Sequence, residues 1–90
     1  MVAYATKRAV AENVDPRVVL AVINCESTWN PVAVGDGGKS HGLVQIHEGY
    51  HPDISREQAQ DPRFAIDYLV SEVSEGNGRR WTCFRKVARL

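Results

Sequence analysis

Hydrophobic positions recur at helical spacing in three stretches of the chain and lose that rhythm between them. In residues 2–14, Val2, Ala5, Ala9, Val10 and Val14 are predicted to share one face, with Lys7, Arg8 and Glu12 turned away. Asp15-Pro16 then reads as a helix start, an N-cap Asp followed by Pro at the first helical position. The segment RVVLAVINCES that follows is rich in β-branched residues, which favour strands. Its cap and its length, with no turn signal inside, predict a buried central helix instead. Asp61-Pro62 repeats the same start, and Ala65, Ile66, Leu69, Val70 and Val73 form one stripe behind it, with Asp67, Ser71 and Ser74 opposite. Gly76-Asn77-Gly78 closes that helix, and a last short one is expected from Trp81 to Val87.

The middle is irregular. Asn30-Pro31 ends the central helix, and Val32 to His41 holds Gly35, Asp36, Gly37 and Gly38, the composition of a hairpin or turn. Gly42 to Ile46 alternates enough to predict a short strand, and His51-Pro52-Asp53 turns the chain again. Ser55 with Gln58 has the spacing of a capping box over a single helical turn. The expected fold class is α+β, mostly helical, with a central buried helix and a small hairpin region, in one domain over residues 1–90.

Charge and cysteine content narrow the function. Eleven basic and eleven acidic side chains cancel, with a pI near 6.8, which excludes a simple electrostatic nucleic-acid binder. The longest apolar run, Val18 to Ile23, is far below the roughly 20 residues of a membrane span. The opening MVAYATKRAV lacks the apolar stretch and cleavage site of a signal peptide. Charge is unevenly placed: residues 1–78 are net acidic, while Arg79, Arg80, Arg85, Lys86 and Arg89 face no acid in the tail. That tail reads as a solvated basic helix, or as a patch that draws the protein to an anionic surface such as a cell wall.

Cys25 and Cys83 fit no CxxC motif, and His41, His47 and His51 do not complete a zinc-finger spacing, so no metal is expected. A disulfide would staple a core this small and would place the protein outside the reducing cytosol; two buried free thiols are the alternative.

Glu26 carries the candidate chemistry. It continues the stripe of Val19, Val22 and Ile23 on the central helix, at the C-terminal end where the helix dipole disfavours negative charge. A carboxyl there is held protonated by burial, as general-acid catalysis requires, unless it turns to solvent or pairs with an Arg.

The run Glu26-Ser27-Thr28-Trp29-Asn30-Pro31, followed by Ser40-His41-Gly42-Leu43-Val44-Gln45-Ile46, resembles the soluble lytic transglycosylase family and its lysozyme-like relatives. The resemblance spans roughly residues 11–75 and takes in Asp61-Pro62 and the Tyr68-Leu69 helix. It implies a lysozyme-like fold and cleavage of the MurNAc–GlcNAc β-1,4 bond of peptidoglycan, by a monomer outside the cytoplasm that needs no cofactor. It also implies Glu26 as acid and base, with Ser27 holding geometry and Gln45 bonding sugar or a catalytic neighbour. Gly42 and Leu43 would shape the cleft wall. Each has a plainer role available: a helix-end cap for Ser27, a satisfied carbonyl for Gln45, a backbone turn for Gly42. Trp29 is either a core aromatic or a sugar platform, and Trp81 reads as core.

Family members are longer, and their late Tyr-Asn-Ala-Gly-type segment has no match after Gly78; Val44 stands where Met is common. A shallower cleft is therefore expected. Lytic transglycosylases work with one carboxylate and leave 1,6-anhydro ends, whereas a hydrolytic lysozyme needs a second. Asp36 is the candidate for that second group, or simply a turn residue. A binding module for peptidoglycan that has lost turnover is the reading from another class.

Overall fold

Asp15 and Asp61 cap the two long helices as their sequence signals predict. In the computed structural model, which describes residues 1–88, the chain runs α1 (Val2–Ala11), α2 (Pro16–Ser27), β1 (Val34–Gly35), a 3-10 turn (Asp36–Gly38), β2 (Ser40–His41), β3 (Ile46–His47), α3 (Arg56–Ala59), α4 (Pro62–Ser74), a second 3-10 turn (Gly78–Arg80) and α5 (Thr82–Val87). The Asp15 carboxylate accepts the backbone N–H of Arg17, and that of Asp61 accepts those of Arg63 and Phe64. Ser55 and Gln58 form the full capping box over α3. Arg89 of the basic tail lies outside the described residues.

The core is where the stripes meet. Val19, Val22 and Ile23 of α2, Ala65, Ile66, Leu69 and Val70 of α4, and Ala5 and Ala9 of α1 are all buried. α1 packs on both α2 and α4, while α5 packs on α2. A three-stranded antiparallel sheet, β1-β2-β3, stands beside the helices, each strand only two residues long. Val34 pairs with His41, which pairs in turn with Ile46; Gly35 pairs with Ser40, which pairs with His47.

Three expectations are corrected. α1 stops at Ala11, not at residue 14, because Asn13 takes a left-handed φ of 58° and the Val14 N–H folds back to the Ala9 carbonyl. Val2 and Val10 point to solvent, while Arg8, expected on the outer face, ion-pairs with Asp67 of α4. The predicted strand Gly42 to Ile46 is mostly the turn that joins β2 to β3; only Ile46 is in a strand. Its residues do not alternate, since Leu43, Val44 and Ile46 all enter the core. Gly42 has φ +85°, and a Cβ there would sit 1.8 Å from the carbonyl oxygen of Ala59, so a side chain is excluded by conformation and by space. A helix in contact with this backbone sets the shape, which alternation cannot reveal.

Candidate functional site

α2 ends abruptly after Glu26-Ser27. Thr28 and Trp29 both have positive φ, 52° and 64°, an arrangement that costs free energy at two consecutive residues with side chains. The sharp exit carries the chain away and leaves Glu26 at the edge of a cleft of about 570 Å³. The helical wall of that cleft consists of Glu26 from α2 with Arg80 from the second 3-10 turn, Trp81 after it and Thr82 at the start of α5. The opposite wall consists of Asp36, Ser40, Gln45 and His47 from the hairpin region, with Tyr50 and His51 from the loop beyond it.

Glu26 is partly buried, and burial is the main cause that raises its carboxyl above the ordinary carboxylate range. The negative charge of Asp36 pushes the same way. Against these, the backbone N–H of Cys83 and the charge of Lys86 favour its ionised form. Cys83 is also the disulfide partner of Cys25, the residue before Glu26, with Cα atoms 5.9 Å apart. One covalent bridge thus fixes both the Glu26 end of α2 and the Cys83 N–H that acts on it. Both cysteines of the chain are thereby in the bridge.

Asp36 reaches the cleft through a left-handed residue, φ 52°, at the head of its 3-10 turn. The hydroxyl of Ser40, itself 1% exposed, donates to its carboxylate at 2.5 Å. Gln45 also takes a positive φ, and its amide nitrogen donates to the carbonyls of Ala33 and Gly42 at 3.1 and 3.0 Å. It therefore braces the hairpin with its donor end and presents an edge to the cleft. Trp81 is 4% exposed, and its indole N–H donates to the Val44 carbonyl at 2.8 Å. That bond ties the helical wall to the hairpin. On the far side of the hairpin, His41 and Arg56 both bond Glu48. They hold its carboxyl down at about 2, Arg56 with the larger effect.

Of the residues singled out in the sequence, the cleft brings together Glu26, Asp36 and Gln45. Ser27, Gly42, Leu43 and Trp29 do not line it. The Ser27 hydroxyl donates to the Ile23 carbonyl one turn back, Leu43 is core, and Trp29 packs half-buried against the core. Gly42 acts from behind, by permitting the turn that carries Gln45. His47, Tyr50, His51 and Arg80 line the cleft without having been singled out as site residues. Tyr50, an aromatic left 81% exposed, and the two histidines flanking it were visible as residues, but no periodicity or spacing connects them to Glu26.

Among the described residues, no helix is long and apolar enough to cross a membrane. Comparison with family models matches residues 3–85 to the transglycosylase SLT domain. Comparisons with curated proteins and with solved structures gave no match. The match spans nearly the whole chain, from α1 into α5, and carries with it the lysozyme-like fold and, in general, a lytic transglycosylase type of activity that cleaves peptidoglycan. With Glu26 at the end of the central helix and a short hairpin across the cleft, this chain belongs to the transglycosylase SLT domain family.

Proposed function

We propose that the protein cleaves the MurNAc–GlcNAc β-1,4 bond as a lytic transglycosylase, with Glu26 as the single acid and base. The observation that carries this reading is the partly buried Glu26 in the cleft wall, where burial raises its carboxyl above the ordinary carboxylate range. Glu26 gives that proton to the glycosidic oxygen as the C1–O bond breaks and oxocarbenium character develops. The resulting carboxylate is stabilised by the Cys83 N–H and by Lys86. It then takes the proton of the muramoyl C6 hydroxyl, whose oxygen closes on C1 to leave a 1,6-anhydro end. In this scheme Asp36 serves by charge, helping to keep Glu26 protonated before the first step. The substrate places the work outside the cytoplasm, and the disulfide is consistent with an oxidising compartment.

One observation favours hydrolysis as a second reading. Asp36 shares the cleft with Glu26 and is held by Ser40, so a second carboxylate is available on the opposite wall to act on a water or on the sugar. Mass spectrometry of digested peptidoglycan separates the two, because the anhydro product is one water lighter. Anhydro ends are expected. A digest of reducing-end muropeptides alone would transfer the assignment to a lysozyme with Asp36 in its machinery, and an undigested wall would leave a binding module.

A further inference from the structure

His51 lines the cleft from the loop beyond the hairpin, and its ring is stacked on that of Trp81 with centroids 5.9 Å apart. Its Nδ1 lies 2.6 Å from the hydroxyl of Tyr68 on α4. Glu72, one turn further along α4, faces the same hydroxyl, and burial together with that carboxylate pushes Tyr68 up to about 12. Glu72 is in turn held by Asn77 and Arg80.

The direction of this chain follows from what each group has to give. Tyr68 and Glu72 are four residues apart on one face of α4, and a carboxylate only accepts, so Glu72 offers the Tyr68 O–H an acceptor. With that O–H turned to Glu72, the Tyr68 oxygen accepts and Nδ1 of His51 is the N–H that donates to it. In a neutral ring the other nitrogen, Nε2, is a bare lone pair. Nε2 has no partner among the described residues, and the one buried side-chain nitrogen or oxygen left without a partner among them is Nδ1 of His41. Nε2 is therefore open, on a ring that lines the cleft.

We propose that His51 is a substrate-recognising residue of the cleft, whose Nε2 accepts a hydrogen bond from a hydroxyl or acetamido N–H of the bound glycan. This rests on the saccharide-cleaving assignment of the same cleft. The charged and titratable groups facing His51 are Tyr68 and Glu72 from α4, Arg80 from the 3-10 turn before α5, and His47 from β3. Burial is the largest influence and, with Arg80 and His47, outweighs Glu72 to lower its pKa from 6.5. The ring is neutral, and so able to accept, at neutral pH.

Two measurements test this. Long-range 1H–15N NMR of the ligand-free protein reads the tautomer directly and involves neither sugar nor cleavage. The Nδ1–H form is expected in the wild type, with that preference lost in Tyr68→Phe; an Nε2–H form in the wild type overturns the proposal. Calorimetric titration with tetra-N-acetylchitotetraose reads recognition. His51→Ala is expected to weaken binding about fivefold, the usual magnitude for one net hydrogen bond. His51→Gln, whose side-chain oxygen also accepts, is expected to recover most of the loss, and circular dichroism checks that both variants fold. Wild-type affinity should be flat above pH 6.5 and fall below it, and this acid limb should be absent in His51→Gln, where Glu26 still titrates. Unchanged affinity in His51→Ala, an acid limb that survives in His51→Gln, or no binding to the wild type would each overturn the proposal. Failure of glycan cleavage alone would count against the role of Glu26 and leave both measurements of His51 standing.

Discussion

On one side of the cleft, Glu26 stands near the end of a 12-residue helix tied to α5 through Cys25–Cys83; on the other, Asp36, Ser40, Gln45 and His47 stand on a hairpin whose strands have two residues each. The helical wall is held by apolar burial and a covalent bridge. The hairpin wall has almost no backbone ladder and is held by side chains, with Gln45 bonding two carbonyls, Ser40 bonding Asp36, and the His41–Glu48–Arg56 cluster behind. Among the described residues, five non-glycine residues have positive φ; two follow α2 and two, Asp36 and Gln45, supply the hairpin's own cleft residues. The Glu26 carboxyl is thus placed by a helix and a covalent bridge, while the opposing wall is shaped residue by residue. The contrast predicts where substitutions cost turnover and where they cost stability.

The largest effect is expected at the acid itself. Glu26→Gln keeps nearly the same volume and removes the proton, so turnover on peptidoglycan should fall by about a hundredfold or more. Binding should change little. A variant that keeps a tenth of wild-type activity would show that the acid is elsewhere.

Next comes the staple of the helical wall. The bridge closes a span of 58 residues, for which chain entropy gives about 4 kcal/mol of stabilisation. Reduction, or Cys25→Ser with Cys83→Ser, should lower the thermal midpoint by tens of degrees for a chain of this size. Activity should fall before the fold is lost, because the Cys83 N–H on Glu26 and the Trp81 side of the cleft go with α5. Equal melting curves with and without reductant would contradict this account.

The hairpin wall should break at one glycine and tolerate change at another. Gly42→Ala meets both a positive φ and the Ala59 carbonyl, for a cost of about 3 kcal/mol. Gly38→Ala has φ +96° but nothing within 4 Å, so only the conformational cost of about 1 kcal/mol applies. Chemical denaturation of the two variants measures the difference. Similar losses would mean that Ala59 yields easily and that space is not what requires Gly42.

The same division decides what the sequence made legible. Asp15-Pro16, Asp61-Pro62 and the Ser55/Gln58 box act through neighbouring backbone groups, so their helices follow from local chemistry. The partial burial of Glu26 was readable from its place on the stripe of Val19, Val22 and Ile23. The turn at Gly42 to Gln45 was not, because it depends on contact with Ala59 in α3. Trp81 reads as core from composition, and it is buried, but its position over the cleft depends on α5 docking back against the Val44 carbonyl. His51 and Tyr68 meet across 17 residues, with no motif to announce the pair. Asp36 comes to face Glu26 only through the left-handed turn at Asp36 and Gly37.

The smallest effect expected is in the dependence of stability on pH, where the two walls should differ in sign. Glu26 has a raised folded-state pKa, so between the unfolded value near 4.5 and that raised value the folded chain holds more proton than the unfolded one. Stability then declines as pH rises through this window. Glu26→Gln removes the decline, and the variant should melt higher than wild type at neutral pH and equal to it below 4.5. Glu48 behaves oppositely, since Arg56 and His41 hold its folded pKa at about 2. Its contribution is present above 4.5 and is lost as pH falls toward 2, so Glu48→Gln should melt lower than wild type at neutral pH and converge with it in acid. The Glu48 difference should be modest, because the ion pair with Arg56 lies at the surface and is screened. Thermal melts of the three proteins from pH 2.5 to about 7.5 measure both signs together. If Glu26→Gln were less stable than wild type at neutral pH, its carboxylate would be a favourable ionised partner in the folded state, and the account of Glu26 as a proton-holding acid would fail with it.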